Sequence, residues 1–103
     1  MFVAKVTGSL VSTQKVASMV GWKLLVVEPY RLEPSQRASL TTTGRTFVAV
    51  DTLGAGVGDL VLITQGSSAR ATPETKNMPI DTVIVGIVDK VHVESHCVYS
   101  REE

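Results

Sequence analysis

Two runs in this chain are apolar on both faces of any strand they form. Leu24-Leu25-Val26-Val27 and Val83-Ile84-Val85-Gly86-Ile87-Val88 hold almost nothing but aliphatic side chains, and successive side chains of a strand point to opposite sides of a sheet. A sheet with one wet face alternates apolar and polar residues, so both runs need cover on two sides. Helical signal is scarce. Residues 12–21 have room for a turn or two, and Ser67-Ser68-Ala69-Arg70 offers a short helix with a serine as N-cap. A chain of 103 residues with so little helix has little of its own to lay over the outer faces, and the expected cover is another copy of the same chain. The competing reading, a strand internal beneath its own loop, suits either run taken alone.

Strands are expected over residues 2–12, 22–31, 45–51, 59–65 and 82–93, each rich in β-branched residues and bounded by glycine, proline or polar clusters. In the first, Phe2, Ala4, Val6, Gly8 and Leu10 share one face with a period of two. Exposed loops are expected over residues 32–44 and 72–78, the latter marked by Pro73 and Pro79. Short strands with one small helix between the fourth and fifth indicate an all-β fold, a five-stranded OB-like barrel forming a single domain over residues 1–103. Closing the barrel removes free sheet edges. Gly8 and Gly86 fall where bends or close backbone approaches help it close.

Ten basic residues balance ten acidic ones, so no positive field invites nucleic acid or an anionic membrane surface. The single cysteine, Cys97, excludes an intramolecular disulfide framework and a four-cysteine zinc site, and fits a reducing cytosol. The first residues alternate and contain Lys5, unlike the basic start and unbroken apolar stretch of a signal peptide. No apolar segment has the length to cross a bilayer as a helix. A soluble cytoplasmic protein is expected.

The run Asp51-Thr52-Leu53-Gly54-Ala55-Gly56-Val57-Gly58-Asp59 has spaced glycines after a strand but is no dinucleotide fingerprint. Asp59 stands where the third glycine is needed, and Leu60-Val61-Leu62-Ile63 continues as a strand rather than a helix. No glycine-lysine-serine or glycine-lysine-threonine triplet makes a Walker loop, and a tight turn using glycine for positive φ fits better. Gly66-Ser67-Ser68-Ala69-Arg70 suggests either an anion site built on backbone N–H groups and Arg70 or a serine nucleophile. Nothing ties His92 or His96 to Ser67 or Ser68 as a base, and a turn of small residues permitting close packing between chains is preferred. His92, His96 and Cys97 are three potential metal ligands without a fourth. Asp51, Asp59, Asp81 and Asp89 recur at strand ends, as turn-making aspartates and inter-chain salt-bridge partners do. The aromatics Phe2, Trp22, Tyr30, Phe47 and Tyr99 are scattered without interleaved basic residues, which ranks an OB-type single-stranded nucleic-acid-binding module as the alternative and a small serine hydrolase third.

Several blocks taken in order are more specific than any one. Ala4-Lys5-Val6-Thr7-Gly8, Val11-Ser12-Thr13-Gln14-Lys15, Gly21 with Lys23-Leu24-Leu25-Val26-Val27, Val48-Ala49-Val50-Asp51, Gly54 to Asp59, Gly66 to Arg70, and Pro79-Ile80-Asp81 through Asp89 together resemble the EutN/CcmL family of pentameric microcompartment vertex proteins. The resemblance implies an OB-like barrel, a homopentamer shaped like a truncated pyramid, and a place at the vertices of a shell otherwise tiled by hexamers. It implies no catalytic activity, cofactor or metal. It also implies that Asp51, Gly54, Ala55, Gly56, Gly58 and Asp59, with Gly66, Ser67, Ser68, Ala69 and Arg70, lie at contacts between subunits or with neighbouring tiles. Asp59 departs from the glutamate of many relatives. Ser68 is similar to members from catabolic compartments, where carboxysomal ones often carry alanine, whereas Val98-Tyr99-Ser100-Arg101 in the tail is similar to carboxysomal members. The lean is towards a catabolic shell.

Overall fold

A computed structural model of the chain describes residues 1–12, 21–32, 40–73, 76 and 80–101. The helical turn expected within residues 12–21 and most of the two loops expected over 32–44 and 72–78 fall outside the described residues. Eight strands are seen among the described residues: β1 (Phe2–Leu10), β2 (Lys23–Leu32), β3 (Leu40–Thr42), β4 (Phe47–Asp51), β5 (Leu60–Gln65), β6 (Thr82–Ile87), β7 (Lys90–Val93) and β8 (His96–Ser100). Five of them close a barrel in the order β1-β5-β6-β4-β2, with β1 pairing back onto β2. All its pairings are antiparallel except β4 with β6, where Val50 faces Val83 and Asp51 faces Ile84.

The barrel interior is filled by Ala4, Val6, Leu25, Val27, Ala49, Val61, Ile63 and Ile84, closed at one end by Ala55. Only part of the face expected on β1 reaches it. Val6 pairs with Val27 and Gly8 with Val26, so Thr7 is an extra residue. A bulge of one residue flips the alternation beyond it, and Leu10, opposite the outward-facing Leu24, is left largely exposed. Gly86 flanks a second register shift, between Leu62 and Ile63. A Cβ at either glycine would meet only ordinary van der Waals contact, so the bends, rather than close approach, are what the two positions share.

The outer faces of the doubly apolar runs correct the expectation of cover from another copy in part, since Val26 and Val85 stay half-buried. Leu24, Val50 and Val83 are buried against Ala69 and Ile80 of the same chain, with Trp22 and Val85 packed alongside. The cover is a 3-10 turn, Gly66–Arg70, and Ile80, two residues before β6. Gln65, rather than a serine, is its N-cap, and no side chain caps it. The last expected strand is also split: β6 ends at Ile87, and β7 turns back on β8 as a separate two-stranded sheet. The turn between them, Glu94-Ser95, has φ of 49° and 69°, the left-handed geometry a two-residue hairpin loop requires. β3, within the expected loop, pairs with the end of β2.

Candidate assembly surface

The glycine-rich turn after β4 is organised by one buried carboxylate. Asp51 ends β4 with its side chain directed inward, like Ala49 two residues earlier. Its Oδ1 accepts the Leu53 N–H at 2.9 Å and its Oδ2 the Ala55 N–H at 2.8 Å. Lys23, its cross-strand partner on β2, places Nζ 3.6 Å from Oδ2 and also donates to the Ala55 carbonyl. A buried carboxylate is tolerated only when paired and hydrogen-bonded, and here both conditions hold. Gly54 and Gly58 take φ of 88° and 96°, a region costly for any residue with a Cβ. Asp59 closes the turn by accepting the Gly56 N–H at 2.9 Å. The turn then joins the β1 ladder: Gly58 N–H donates to the Val6 carbonyl at 2.8 Å and Val6 N–H to the Asp59 carbonyl at 2.9 Å.

What the turn shows to solvent is apolar. Leu53 is 49% and Val57 67% exposed, and beside Leu53 a cleft of about 340 Å³ runs between Trp22, Thr72 and Val85. Gly66 to Arg70 lies over the second cluster and is pinned at both ends. Gly66 N–H donates to the Asp81 carbonyl at 2.8 Å, and Arg70 Nη1 to the Ile80 carbonyl at 2.6 Å. Ser67, Ser68 and Arg70 are exposed.

Burial narrows the expected contact residues. Asp51, Ala55 and Ala69 are buried within the subunit and have no surface to offer a neighbour. They shape the turn and seat the 3-10 segment, while Gly54, Gly56, Gly58, Asp59, Gly66, Ser67, Ser68 and Arg70 keep accessible surface. Lys23, Ile80 and Arg101 are not among the contact residues expected from the sequence, yet each holds this surface in place. Arg101 sits 3.7 Å from Asp59 and 3.9 Å from Asp89, and its N–H donates to the Asp89 carbonyl at 2.8 Å, tying the β7–β8 hairpin back to the turn.

The remaining candidate chemistry disperses. Ser67 and Ser68 stand on the 3-10 turn, whereas His92 and His96 belong to the separate β7–β8 sheet. His92 faces Cys97 across that hairpin, but among the described residues no group of three or more metal-ligating side chains is placed to hold an ion. No helix among the described residues is long and apolar enough to cross a membrane. The aromatics correct the sequence reading: Phe2, Tyr30 and Phe47, far apart in sequence, line one cleft together with Arg31 and Arg45.

Residues 1–89 match the family model described as ethanolamine utilisation protein EutN/carboxysome. The chain is 49% identical over 89 residues to the bacterial microcompartment shell vertex protein PduN of Salmonella typhimurium, an alignment covering 86% of this chain and 96% of that one. Its fold superposes on the structure of Gloeobacter violaceus CcmL with a TM-score of 0.87 at 34% identity, covering 100% of both chains. A solved structure of GrpN, a pentameric microcompartment shell protein from Rhodospirillum rubrum, matches at a TM-score of 0.74 and 43% identity over 90% of this chain and 98% of that one. With a fold that superposes on CcmL over the whole of both chains and a family model matched over residues 1–89, the chain belongs to the EutN/CcmL family.

Proposed function

We propose that this chain is a structural, non-catalytic vertex protein, a homopentamer seated at the five-fold corners of a polyhedral bacterial microcompartment shell in the cytoplasm. The observation that carries the reading is its likeness, over nearly the whole of both chains, to the pentameric GrpN. A flat layer of hexameric tiles closes into a polyhedron only where five-fold tiles interrupt it, so the function is geometric. All 103 residues act as one unit in it.

Head-to-tail contacts repeated five times close a ring when the rotation per subunit is right. The exposed apolar residues Leu53 and Val57 of the glycine-rich turn, with Gly54, Gly56, Gly58 and Asp59 setting their position, supply the apolar part of such a contact. Gly66, Ser67, Ser68 and Arg70 supply a polar rim facing the next subunit or a hexameric tile. The higher identity to PduN than to the carboxysome vertex proteins and the serine at position 68 favour a catabolic compartment. Native mass spectrometry is the direct test: a five-copy species is expected, and a stable monomer at micromolar concentration overturns the proposal. In cells, deleting the gene should leave shells that fail to close, and normally sealed polyhedra would reject the vertex role.

A further inference from the structure

The cleft at the end of β2 and β4 has a makeup that the assembly role does not use. It is lined by Phe2, Pro29, Tyr30, Thr43, Phe47 and Gln65 together with Arg31 and Arg45, and Arg31, of the opposite strand parity to Tyr30, shares its face of β2 with Val27, the cross-strand partner of Phe47. The Arg45 guanidinium lies 5.7 Å over the Phe47 ring, a stacked arrangement that leaves its N–H edge free to bind an anion. Among the described residues neither Arg31 nor Arg45 has a carboxylate within ion-pair distance. In a chain of zero net charge this is a local concentration of two unneutralised cations against an aromatic wall. Backbone geometry fixes the rim: Thr43 donates through its hydroxyl to the Pro29 carbonyl at 2.9 Å and accepts the Arg45 N–H at 3.4 Å.

We infer that this cleft binds a small anion carried on a flat apolar body, an aryl phosphate or aryl carboxylate, with the acid group between Arg31 and Arg45 and the ring against Phe2 and Phe47. Planar guanidinium groups match the paired oxygens of carboxylate and phosphate, and aromatic walls favour a ring over an aliphatic chain. A volume of about 270 Å³ lies at the low end of small-molecule sites, which limits the ligand to about one ring and one acid group. It does not rest on the shell reading, because the groups that form the site are all in one subunit.

The test uses the full chain as purified, ¹⁵N-labelled, titrated with phenyl phosphate. A ligand of this size at ordinary efficiency per atom binds with a dissociation constant of a few millimolar. Saturable shifts of the Phe2, Tyr30, Arg45 and Phe47 amides are expected. Inorganic phosphate, lacking the ring, and benzyl alcohol, lacking the charge, should each bind about tenfold more weakly. Arg31→Gln and Arg45→Gln are exposed changes that leave the barrel folded, and each should weaken phenyl phosphate about tenfold. Lys90→Gln on the β7–β8 hairpin should change nothing. No saturable shift up to about 20 mM, equal binding of phosphate and phenyl phosphate, or unchanged affinity in both arginine variants would overturn the inference.

Discussion

Replacing Asp51 with asparagine asks whether the glycine-rich turn is held by a buried acceptor or by a surface ion pair. The carboxylate accepts two backbone N–H groups, at 2.9 and 2.8 Å, and its side chain is wholly buried. Asparagine keeps one acceptor oxygen and turns an amide NH₂ towards the second donor. One charge-assisted bond is lost, and the Ala55 N–H, in a residue with no exposed surface, is left facing another donor. A hydrogen bond to a charged group contributes about 1.5–3 kcal/mol, and a buried unsatisfied donor costs about 1–3 kcal/mol. Allowing for overlap between the two, the expected loss is about 2–4 kcal/mol. Lys23→Met is the contrast. Its side chain is half exposed, water can take the place of the ammonium, and such a pair is worth about 0–1 kcal/mol. In urea, at one fixed protein concentration because oligomer stability depends on it, a slope of about 1–1.5 kcal/mol per molar puts the midpoint roughly 2 M lower for Asp51→Asn and less than about 1 M lower for Lys23→Met. Equal shifts for the two variants, or an Asp51→Asn shift below about 0.5 M, would mean that the buried acceptor does not hold the turn.

Gly58→Val places a β-branched residue at φ 96° and should cost about 1–3 kcal/mol. Gly58→Asn should cost less, since asparagine tolerates positive φ, and equal melting temperatures for the two would refute the conformational argument. Arg70→Ala removes the donor held 2.6 Å from the Ile80 carbonyl. The barrel should stay folded by circular dichroism while the five-copy species dissociates at higher concentration in native mass spectrometry, and unchanged assembly would reject a contact role for Arg70. Arg101→Ala removes ion pairs at 3.7 and 3.9 Å from a half-exposed side chain. Its global cost should stay under about 1 kcal/mol, with faster amide exchange confined to β7 and β8 and a similar change in wild type at high salt.

The strands of the barrel are legible in the sequence because each carries a dense aliphatic run between glycine or proline, and their observed ends differ from the expected ones by a residue or two, except that β6 stops at Ile87 rather than at 93. What sequence reasoning missed had no such signal. Glu94-Ser95 makes a two-residue hairpin turn at positive φ without the asparagine or glycine that normally announces one, so β7 merged into the preceding strand and β8 was taken for a tail. The three residues of β3, Leu40–Thr42, are too few to show a period. The bulge at Thr7 is likewise invisible to an alternation count, and it is why Leu10 faces away from the core. The spaced glycines after β4 predict a tight turn, and Gly54 and Gly58 at positive φ make one. The role of Asp51 within it depends on the inward parity of β4 and on cross-strand register with Lys23, which a single sequence does not print.

The source of cover for the doubly apolar strands changes what an assembly contact has to do. The sequence calls for two-sided cover and points to another copy for the outer side, because a chain with so little predicted helix has little of its own to lay there. Ala69 succeeds because its small side chain lets the 3-10 turn lie close over Leu24, Val50 and Val83, and Ile80 fills the remaining edge. The subunit therefore completes its own second core before meeting a partner. Exposed apolar side chains then include Leu53 and Val57 at the turn and Val48 on β4, besides Met1, Phe2, Leu10 and Val11 on or beside β1, and a contact drawn from them contributes about 25 cal/mol per Å² of apolar surface buried. A barrel that folds first and docks afterwards should show a concentration-independent unfolding step at high dilution, separate from loss of the five-copy species, and a single transition that tracks concentration throughout would place the outer cover back with the neighbour.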